Sequence, residues 1–330
     1  MHNRFGNNFR IEVEGASHAP SIRLRIWGVP QGISLSEQDF ECDLARRRAG
    51  AKGTTPRHER DIPHITSGIE SGATTGDVLE IVFYNEDVRS SDYDRFASHP
   101  RPSHVDFAAR AKYGESIDLR GSGIFSGRMT VLLVAAGVVA KRINPQMHFS
   151  TRIVEIGGVR DEQRFDEVIA AAQRDGDSVG GVVECCVEGI ECGLGEPYFD
   201  STESIISHLL FSVPAVKGVE FGSGFEGIRQ RGSQRNDRFA DEHGTTFTNN
   251  EGGINGGITN GNPLVVRAAI KPTASISSPQ HTFNFATRSI EPLTAAGRHD
   301  CCIALRAGVV VEAAVAIALA ELKLETIKNR

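Results

Sequence analysis

Strand-like and helical stretches alternate irregularly along this chain, which predicts a mixed fold of helices and strands. Two observations carry that expectation. Residues 9–33 and 179–187 are short apolar or alternating runs bounded by turn residues, as half-buried strands are. Residues 130–142 are Val, Leu and Ala nearly all round, and residues from about 311 to 327 are rich in Ala, Leu and Glu; the first reads as a buried helix and the second as the last helix. At 330 residues, 39% of them hydrophobic, the chain can bury a sizeable core.

In order, residues 9–33 predict strands broken by a turn at Gly15–His18 and another at Pro30–Gly32. Residues 36–48 read as a helix with Ser36 as its cap, acidic residues in the first turn, and Arg46-Arg47-Arg48 before Gly50 at its end. A polar loop follows over 50–63, then a glycine-punctuated stretch over 65–76 and a strand over 78–83. Residues 85–99 are polar and should lie on the surface or over a site. The buried helix at 130–142 ends before Pro145. Strands are expected at 149–159, 179–187, 216–221 and 264–270, and helices at 165–174 and 201–212. Residues 225–261 are dominated by glycine, asparagine and charge, which suits a flexible linker or a turn that wraps a phosphate or planar cofactor.

Composition excludes several functions. Lys and Arg total 36 against 42 Asp and Glu, so the net charge of -6 argues against nucleic acid or an anionic membrane as the main partner. The six cysteines, at 42, 185, 186, 192, 301 and 302, make no CxxC spacing, and no HxH or HExxH occurs, so no metal site is expected. The start has no signal-peptide pattern and no run of 18 apolar residues appears; reduced thiols in the cytoplasm are the expectation. Ser17 lacks the G-x-S-x-G elbow of a serine hydrolase, and Gly252-x-x-x-Gly256 lacks the strand–turn–helix context of a dinucleotide site.

The densest chemistry lies in residues 101–128, where His104, Asp106, Lys112, Arg120 and Arg128 surround Gly121-Ser-Gly123 ahead of an apolar run. A glycine-rich turn entering a helix presents backbone N–H groups to an anion, the arginines add charge-assisted bonds, and His104 adds a proton-transfer group. A polar surface loop before a helix fits the same stretch equally well. His18 and His299 also stand in turns beside hydroxyl or carboxylate neighbours.

Taken in order, the motifs resemble the chorismate synthase family over essentially the whole chain. They include Asn7-x-Phe9-Arg10, Gly15-x-Ser17-His18, Arg46-Arg47-Arg48, Thr74-Thr75-Gly76 and Asn85-x-Asp87-x-Arg89-Ser90. Arg101-Pro-Ser-His104-x-Asp106, Arg120-Gly-x-Gly123, Gly193-Leu-Gly-Glu-Pro197, Ala215-Val-Lys-Gly-Val-Glu220, Arg231-Gly-Ser233, Gly252-Gly253, Lys271-Pro-Thr273-x-Ser275 and Gly297-Arg-His-Asp300 continue it. The resemblance implies one α+β domain over 1–330, a sandwich of helices packed between antiparallel β-sheets, assembled as a homotetramer. It implies elimination of the 3-phosphate and a C6 hydrogen from 5-enolpyruvylshikimate 3-phosphate to give chorismate, in aromatic amino acid biosynthesis. Reduced FMN is required without net redox change, and an external source of reduced flavin is expected.

By position, the resemblance makes His18 the histidine near the leaving phosphate and His104 the one that protonates the reduced flavin. Ser17 and Asp300 match the pair linked to removal of the C6 proton. Ser126, Asn249, Gly257, Lys271, Thr273, Ser275 and Arg298 match flavin contacts, and Arg47, Arg48 and Arg128 match substrate contacts. The chain departs from the family where Ala16 and Ala19 flank Ser17-His18, where Ala49 and Gly53 replace a proline and an arginine, and where Cys301 replaces the proline after His-Asp. Ile124 and Phe125 replace an arginine and a serine of the flavin and phosphate contacts, and Leu133 replaces another arginine. Each lost arginine–phosphate contact costs on the order of 1.5–3 kcal/mol, and Lys52 is the nearest substitute for the one at Gly53. Two other readings therefore stand beside a working synthase: an enzyme of the same scaffold with a different phosphorylated substrate, and a non-catalytic homologue.

Overall fold

The structure is a computed structural model that describes residues 3–50, 53–55, 59–87, 95–96, 98–295 and 299–329. Five strands form the first sheet: β1 (Arg4–Phe5), β2 (Arg10–Gly15), β3 (Ser21–Trp27), β4 (His64–Ser67) and β5 (Leu79–Tyr84), in the order β1-β2-β3-β5-β4. The second sheet takes four strands from later in the chain: β6 (His148–Ile156), β7 (Gly181–Glu188), β8 (Val216–Phe221) and β9 (Leu264–Ile270), in the order β8-β9-β7-β6. Every pairing in both sheets is antiparallel. A hairpin of β10 (Gln280–Asn284) and β11 (Ser289–Leu293) stands apart from them.

Strict alternation explains why each sheet has one wet face. In β3, Ile22, Leu24 and Ile26 point into the core, while Arg25 between them bonds Glu80 and Glu12 on the neighbouring strands. In β9, Leu264, Val266, Ala268 and Ile270 point inward, and Arg267 bonds Glu184 and Glu220.

Between the sheets lie α3 (Thr130–Ile143) and α6 (Ala304–Asn329), packed on each other. The first rests on β3 and the second on β6, β7 and β9. Further helices are α1 (Glu41–Arg47), which packs on both, α2 (Asp106–Tyr113), α4 (Phe165–Arg174) and α5 (Thr202–Ser212), which lies between α6 and β8. This is the expected α+β sandwich of helices between antiparallel sheets. The segment Arg120–Ile143 has a hydropathy of 1.8 over an 18-residue window, apolar enough to cross a membrane by composition, but 72% of that window is buried inside the protein. Its hydrophobicity is that of a core helix.

The contact between α3 and α6 is backbone-close at Gly137, where an added methyl would sit 2.5 Å from Ala313 Cβ and 2.7 Å from its Cα. Beside it, the buried Glu312 of α6 accepts from both Nη atoms of Arg46, from Lys141 Nζ and from Thr151 Oγ1, so α1, α3 and β6 all meet one carboxylate. Near the other end of α6, the buried Glu321 accepts the backbone N–H groups of Asn7 and Asn8 at 2.8 and 2.9 Å, which fixes the turn between β1 and β2.

Two expectations need correction. The last helix starts at Ala304 rather than near 311, because Arg306 and Gly308 disguise its first turns while Gly308 lets β6 approach; a methyl there would lie 3.2 Å from Thr151 Oγ1. Residues 225–261 do not form an unstructured linker. Asp237 accepts the backbone N–H groups of Asn250 and Glu251 at 2.8 and 2.9 Å, and a short hairpin, Ile254–Asn255 with Ile258–Thr259, closes the segment. Side-chain-to-backbone bonds do here what apolar anchors do elsewhere.

The packing predicts opposite effects at two glycines. Gly137→Ala is expected to lower stability to urea by about 1–3 kcal/mol. Gly127→Ala, where a methyl meets nothing within 4 Å, is expected to be neutral or to stabilise by up to about 1 kcal/mol. An unchanged urea midpoint for Gly137→Ala would contradict the close α3–α6 contact.

Candidate active site

A cavity of about 630 Å³ opens where the end of α1, the stretches around residues 101–104 and 121–128, the α5–β8 connection, the segment after β9 and the start of α6 converge. That volume suits a cofactor together with a small substrate. Its floor is ionic. The Asp61 carboxylate accepts from Arg47 Nη2 at 2.7 Å and also from Arg128 Nη1, and all three side chains are buried. Arg128 Nε donates to Asn85 Oδ1 at 2.9 Å. Burial alone would raise the Asp61 carboxyl, but Arg47 and Arg128 outweigh it and hold the group below the usual carboxylate range. Burial, opposed by Asp61 and reinforced by Arg306 and Arg128, brings the Arg47 guanidinium down to about 10, so it stays charged at neutral pH.

Two guanidiniums thus share one carboxylate, which leaves the floor cationic. Beside it Arg306, charge-balanced by Asp300, donates to both oxygens of that carboxylate at 3.2 Å and to the Arg47 carbonyl at 2.8 Å. Arg48 pairs with Glu41 at 2.7 and 2.9 Å. The Nε–H groups of Arg47 and Arg48 are buried without a hydrogen-bond partner among the described residues. Arg47, Arg48 and Arg128 line the cavity, and guanidiniums there fit the phosphate of FMN or of a phosphorylated substrate.

One wall is acid–base. Arg101 bonds Asp106 through its backbone N–H, Nε and Nη2 at 2.8–2.9 Å, and its Nη1 donates to Ser275 Oγ at 3.0 Å. The same Asp106 lies 2.7 Å from His104 Nδ1, and His104 Nε2 lies 3.2 Å from Ser122 Oγ. Burial keeps the imidazole below the ordinary histidine value, with Asp106 pulling the other way. The neutral form therefore dominates near pH 7. Lys271 Nζ donates to the Ser103 carbonyl at 2.6 Å and Thr273 Oγ1 to the Asp300 carbonyl at 2.7 Å, so the segment after β9 is tied to both sides of the cavity.

The structure brings together many of the residues read from the sequence. Arg47, Arg48, His104, Ser126, Arg128, Lys271, Thr273, Ser275 and Asp300 all line the cavity. Ser17 and His18 do not. They stand directly behind Gly121, where an added methyl would lie 2.5 Å from His18 Nε2 and 2.8 Å from Ser17 Oγ, and Ser17 N–H donates to the Gly123 carbonyl at 3.1 Å. Gly121, at φ +57°, is thus demanded by close approach. The expectation that Gly121–Gly123 enters the helix directly is corrected: the helical turn starts past Ser126, whose Oγ accepts Arg128 N–H at 3.2 Å. Arg120 is turned to Asp118 at 2.9 and 2.6 Å and leaves the anion site.

Asn249 and Gly257 are not brought to the cavity of their own chain. Asn249 Nδ2 donates to the Pro263 carbonyl at 2.7 Å, and the Gly257 carbonyl accepts Thr202 N–H at 2.8 Å, both within the glycine-rich segment and its neighbours. Arg298 and Lys52 lie outside the described residues. Asp61 and Arg306 escaped notice in the sequence. A single aspartate in a polar loop carries no spacing signal, whereas Arg306, the one charged residue between Asp300 and Glu312, could have been noticed.

Of the departures, Ala49, Ile124 and Phe125 line the cavity, the last two as an apolar wall. Gly53 accepts Cys301 N–H at 2.9 Å, and a methyl on it would lie 2.7 Å from Ile169 Cγ2, so no arginine fits the backbone as it stands. Leu133 packs against the core.

Asp61 and Asp106 both sit below the ordinary carboxyl range, so the folded chain binds fewer protons than the unfolded chain in acid. Their contribution is complete above that range and is lost as pH falls through it. Asp61→Asn is expected to cost about 3–5 kcal/mol at neutral pH, because it strands two buried guanidiniums, and to flatten the acid limb of stability against pH. Urea midpoints between pH 3 and 7 test this; a neutral-pH loss under 1 kcal/mol would refute the ionic floor.

Similarity agrees with the geometry. The family described as Chorismate synthase matches residues 9–324. The chain is 51% identical to the chorismate synthase of Chitinophaga pinensis, with 99% of this chain and 98% of that one covered. It is 41% identical to the chorismate synthase of Methanosarcina mazei over 97% of this chain and 95% of that one. A chorismate synthase crystal structure superimposes with a TM-score of 0.76 at 26% identity, covering 98% of this chain and 93% of that one. With its fold, its cationic floor and its histidine wall, the chain belongs to the chorismate synthase family.

Proposed function

We propose that the chorismate synthase reaction of this chain, elimination of phosphate from 5-enolpyruvylshikimate 3-phosphate, runs in the cavity above Asp61 with reduced FMN bound beside the substrate. The observation that supports this most is the unequal floor, in which Arg47 and Arg128, both lining the cavity, share the single Asp61 carboxylate. Such a floor favours a polyanion, and the substrate carries a phosphate and carboxylates.

Reduced FMN, when bound, supplies transient electron density to a substrate losing its phosphate. Ser126, Lys271, Thr273 and Ser275 are the cavity residues we assign to holding it, with Arg298 beyond the described residues. Arg47, Arg48 and Arg128 hold the substrate's anionic groups. Ile124 and Phe125 keep water from the wall beside them, where the family's arginine and serine would have hydrogen-bonded. Their apolar surface replaces a charged contact by exclusion of solvent, which strengthens the remaining ionic contacts.

His104 presents Nε2 to Ser122 at the cavity wall and is the group we assign to proton transfer toward the flavin. Asp300, held by Arg306 and by Thr55 N–H at 2.8 Å, is a further hydrogen-bond acceptor in the cavity lining. Ser17 and His18 approach as near as a glycine backbone allows, and their roles at the C6 proton and the leaving phosphate require Gly121 to yield when ligands bind.

We further propose a single domain over 1–330, a homotetramer and a cytoplasmic enzyme, in line with the family. Asn249 and Gly257, remote from their own cavity, serve a flavin only across a subunit boundary. The exposed Phe239 and Phe247 near them support an interface there.

The test is anaerobic turnover of 5-enolpyruvylshikimate 3-phosphate with reduced FMN, followed by chorismate absorbance. Turnover by the native chain and a loss of roughly 10²-fold or more in His104→Ala are expected. A His104→Ala enzyme as fast as the native one would remove this residue from the mechanism.

A further inference from the structure

We infer that Asp106 is the positioning residue for His104: clamped by Arg101, it fixes the imidazole as the Nδ1–H tautomer and aims Nε2 at Ser122 on the cavity wall. The consequence for turnover rests on the proton-transfer role proposed above; the tautomer does not.

Asp106 is 0% exposed, and each of its oxygens accepts twice. Oδ2 takes the backbone N–H and Nε–H of Arg101 at 2.9 and 2.8 Å. Oδ1 takes Arg101 Nη2–H at 2.8 Å and faces His104 Nδ1 at 2.7 Å. An ionised carboxylate can only accept, so Nδ1 must carry the proton in that contact. Free histidine favours the proton on Nε2; the clamp inverts that preference and leaves Nε2 as the nitrogen that gains and loses a proton. Its partner there, the Ser122 hydroxyl, can donate to neutral Nε2 or accept from protonated Nε2.

The clamp is itself anchored. Arg101 Nη1 donates to Ser275 Oγ, and the guanidinium lies over the Phe96 ring at 4.4 Å from its centroid. Ser275, Arg101, Asp106, His104 and Ser122 therefore form one chain of contacts from the segment after β9 to the Gly121–Phe125 wall. The charged groups that bear on the imidazole are Asp106 and Arg101 from its own stretch and Lys271 from the segment after β9. Asp106 opposes the burial that lowers its proton affinity.

Asp106→Asn separates positioning from bulk. Asparagine keeps the shape but offers one accepting oxygen to Arg101's three donors. Its amide N–H then faces Nδ1, and the proton moves to Nε2. Imidazole ¹⁵N resonances of histidine-labelled protein without ligand, with His104 assigned by its loss in His104→Gln, read this directly. The native chain is expected to show Nδ1–H, with Nε2 as the titrating nitrogen. Asp106→Asn is expected to invert the tautomer, move the His104 midpoint to lower pH, and cut kcat at least about 100-fold with KM changed only a few-fold.

Nε2–H in the native chain would overturn the inference, as would Asp106→Asn losing activity with the His104 tautomer and midpoint unchanged. If the variant does not fold, the native spectrum decides alone. An active His104→Ala enzyme alongside a native Nδ1–H signal would remove the proton-transfer role and leave the positioning intact.

Discussion

One buried carboxylate shared by two arginines sets the character of this cavity. Asp61 is tied to Arg47 at the end of α1 and to Arg128 just ahead of α3, so it joins two elements and leaves their combined charge positive. Desolvating two guanidiniums for one counterion is unfavourable in a folded protein on its own. The arrangement makes sense for a site completed by an anion, whose binding energy offsets a strain that the scaffold must otherwise hold. The neutral His104 on the adjoining wall follows from the same burial, and gives the cationic floor a proton-transfer neighbour that does not add to its charge at neutral pH.

The scaffold can hold that strain because the helices beneath it are locked. Gly137 lets α3 touch Ala313 of α6, and Glu312 gathers Arg46 and Lys141 beside that contact. Arg46 and Arg47 are adjacent on α1 and divide the work, one tied to the interior of the sandwich and the other to the cavity floor. The arginine run at the end of α1, which on sequence grounds alone suits a solvated helix end, is thereby a structural anchor and a site residue side by side.

Much of this was legible in the sequence where a periodic pattern or a motif carried it. The 165–174 and 216–221 elements fall where the apolar periodicity puts them, and His104, Lys271, Thr273 and Ser275, singled out by their motifs, all line the cavity. What escaped depended on tertiary contact. Asp61 has no local pattern, Gly121 is required by Ser17 and His18 from across the chain, and Arg120 found a carboxylate two residues away instead of the anion site. The departures from the family looked like four lost contacts. Of these four, only Ile124 and Phe125 face the cavity, because Gly53 and Leu133 are turned to the core. Asn249 and Gly257 belong to a segment held by its own side-chain-to-backbone bonds, a role that glycine and asparagine content does not distinguish from ligand binding.

The placement of the flavin in this cavity is tested most directly by amide hydrogen exchange, measured anaerobically with and without reduced FMN. Protection is expected in residues 121–128 and 271–275, which both contribute to the cavity lining, and should weaken when Asp61 is replaced by asparagine. Flavin binding that leaves both segments exchanging at the ligand-free rate would contradict it.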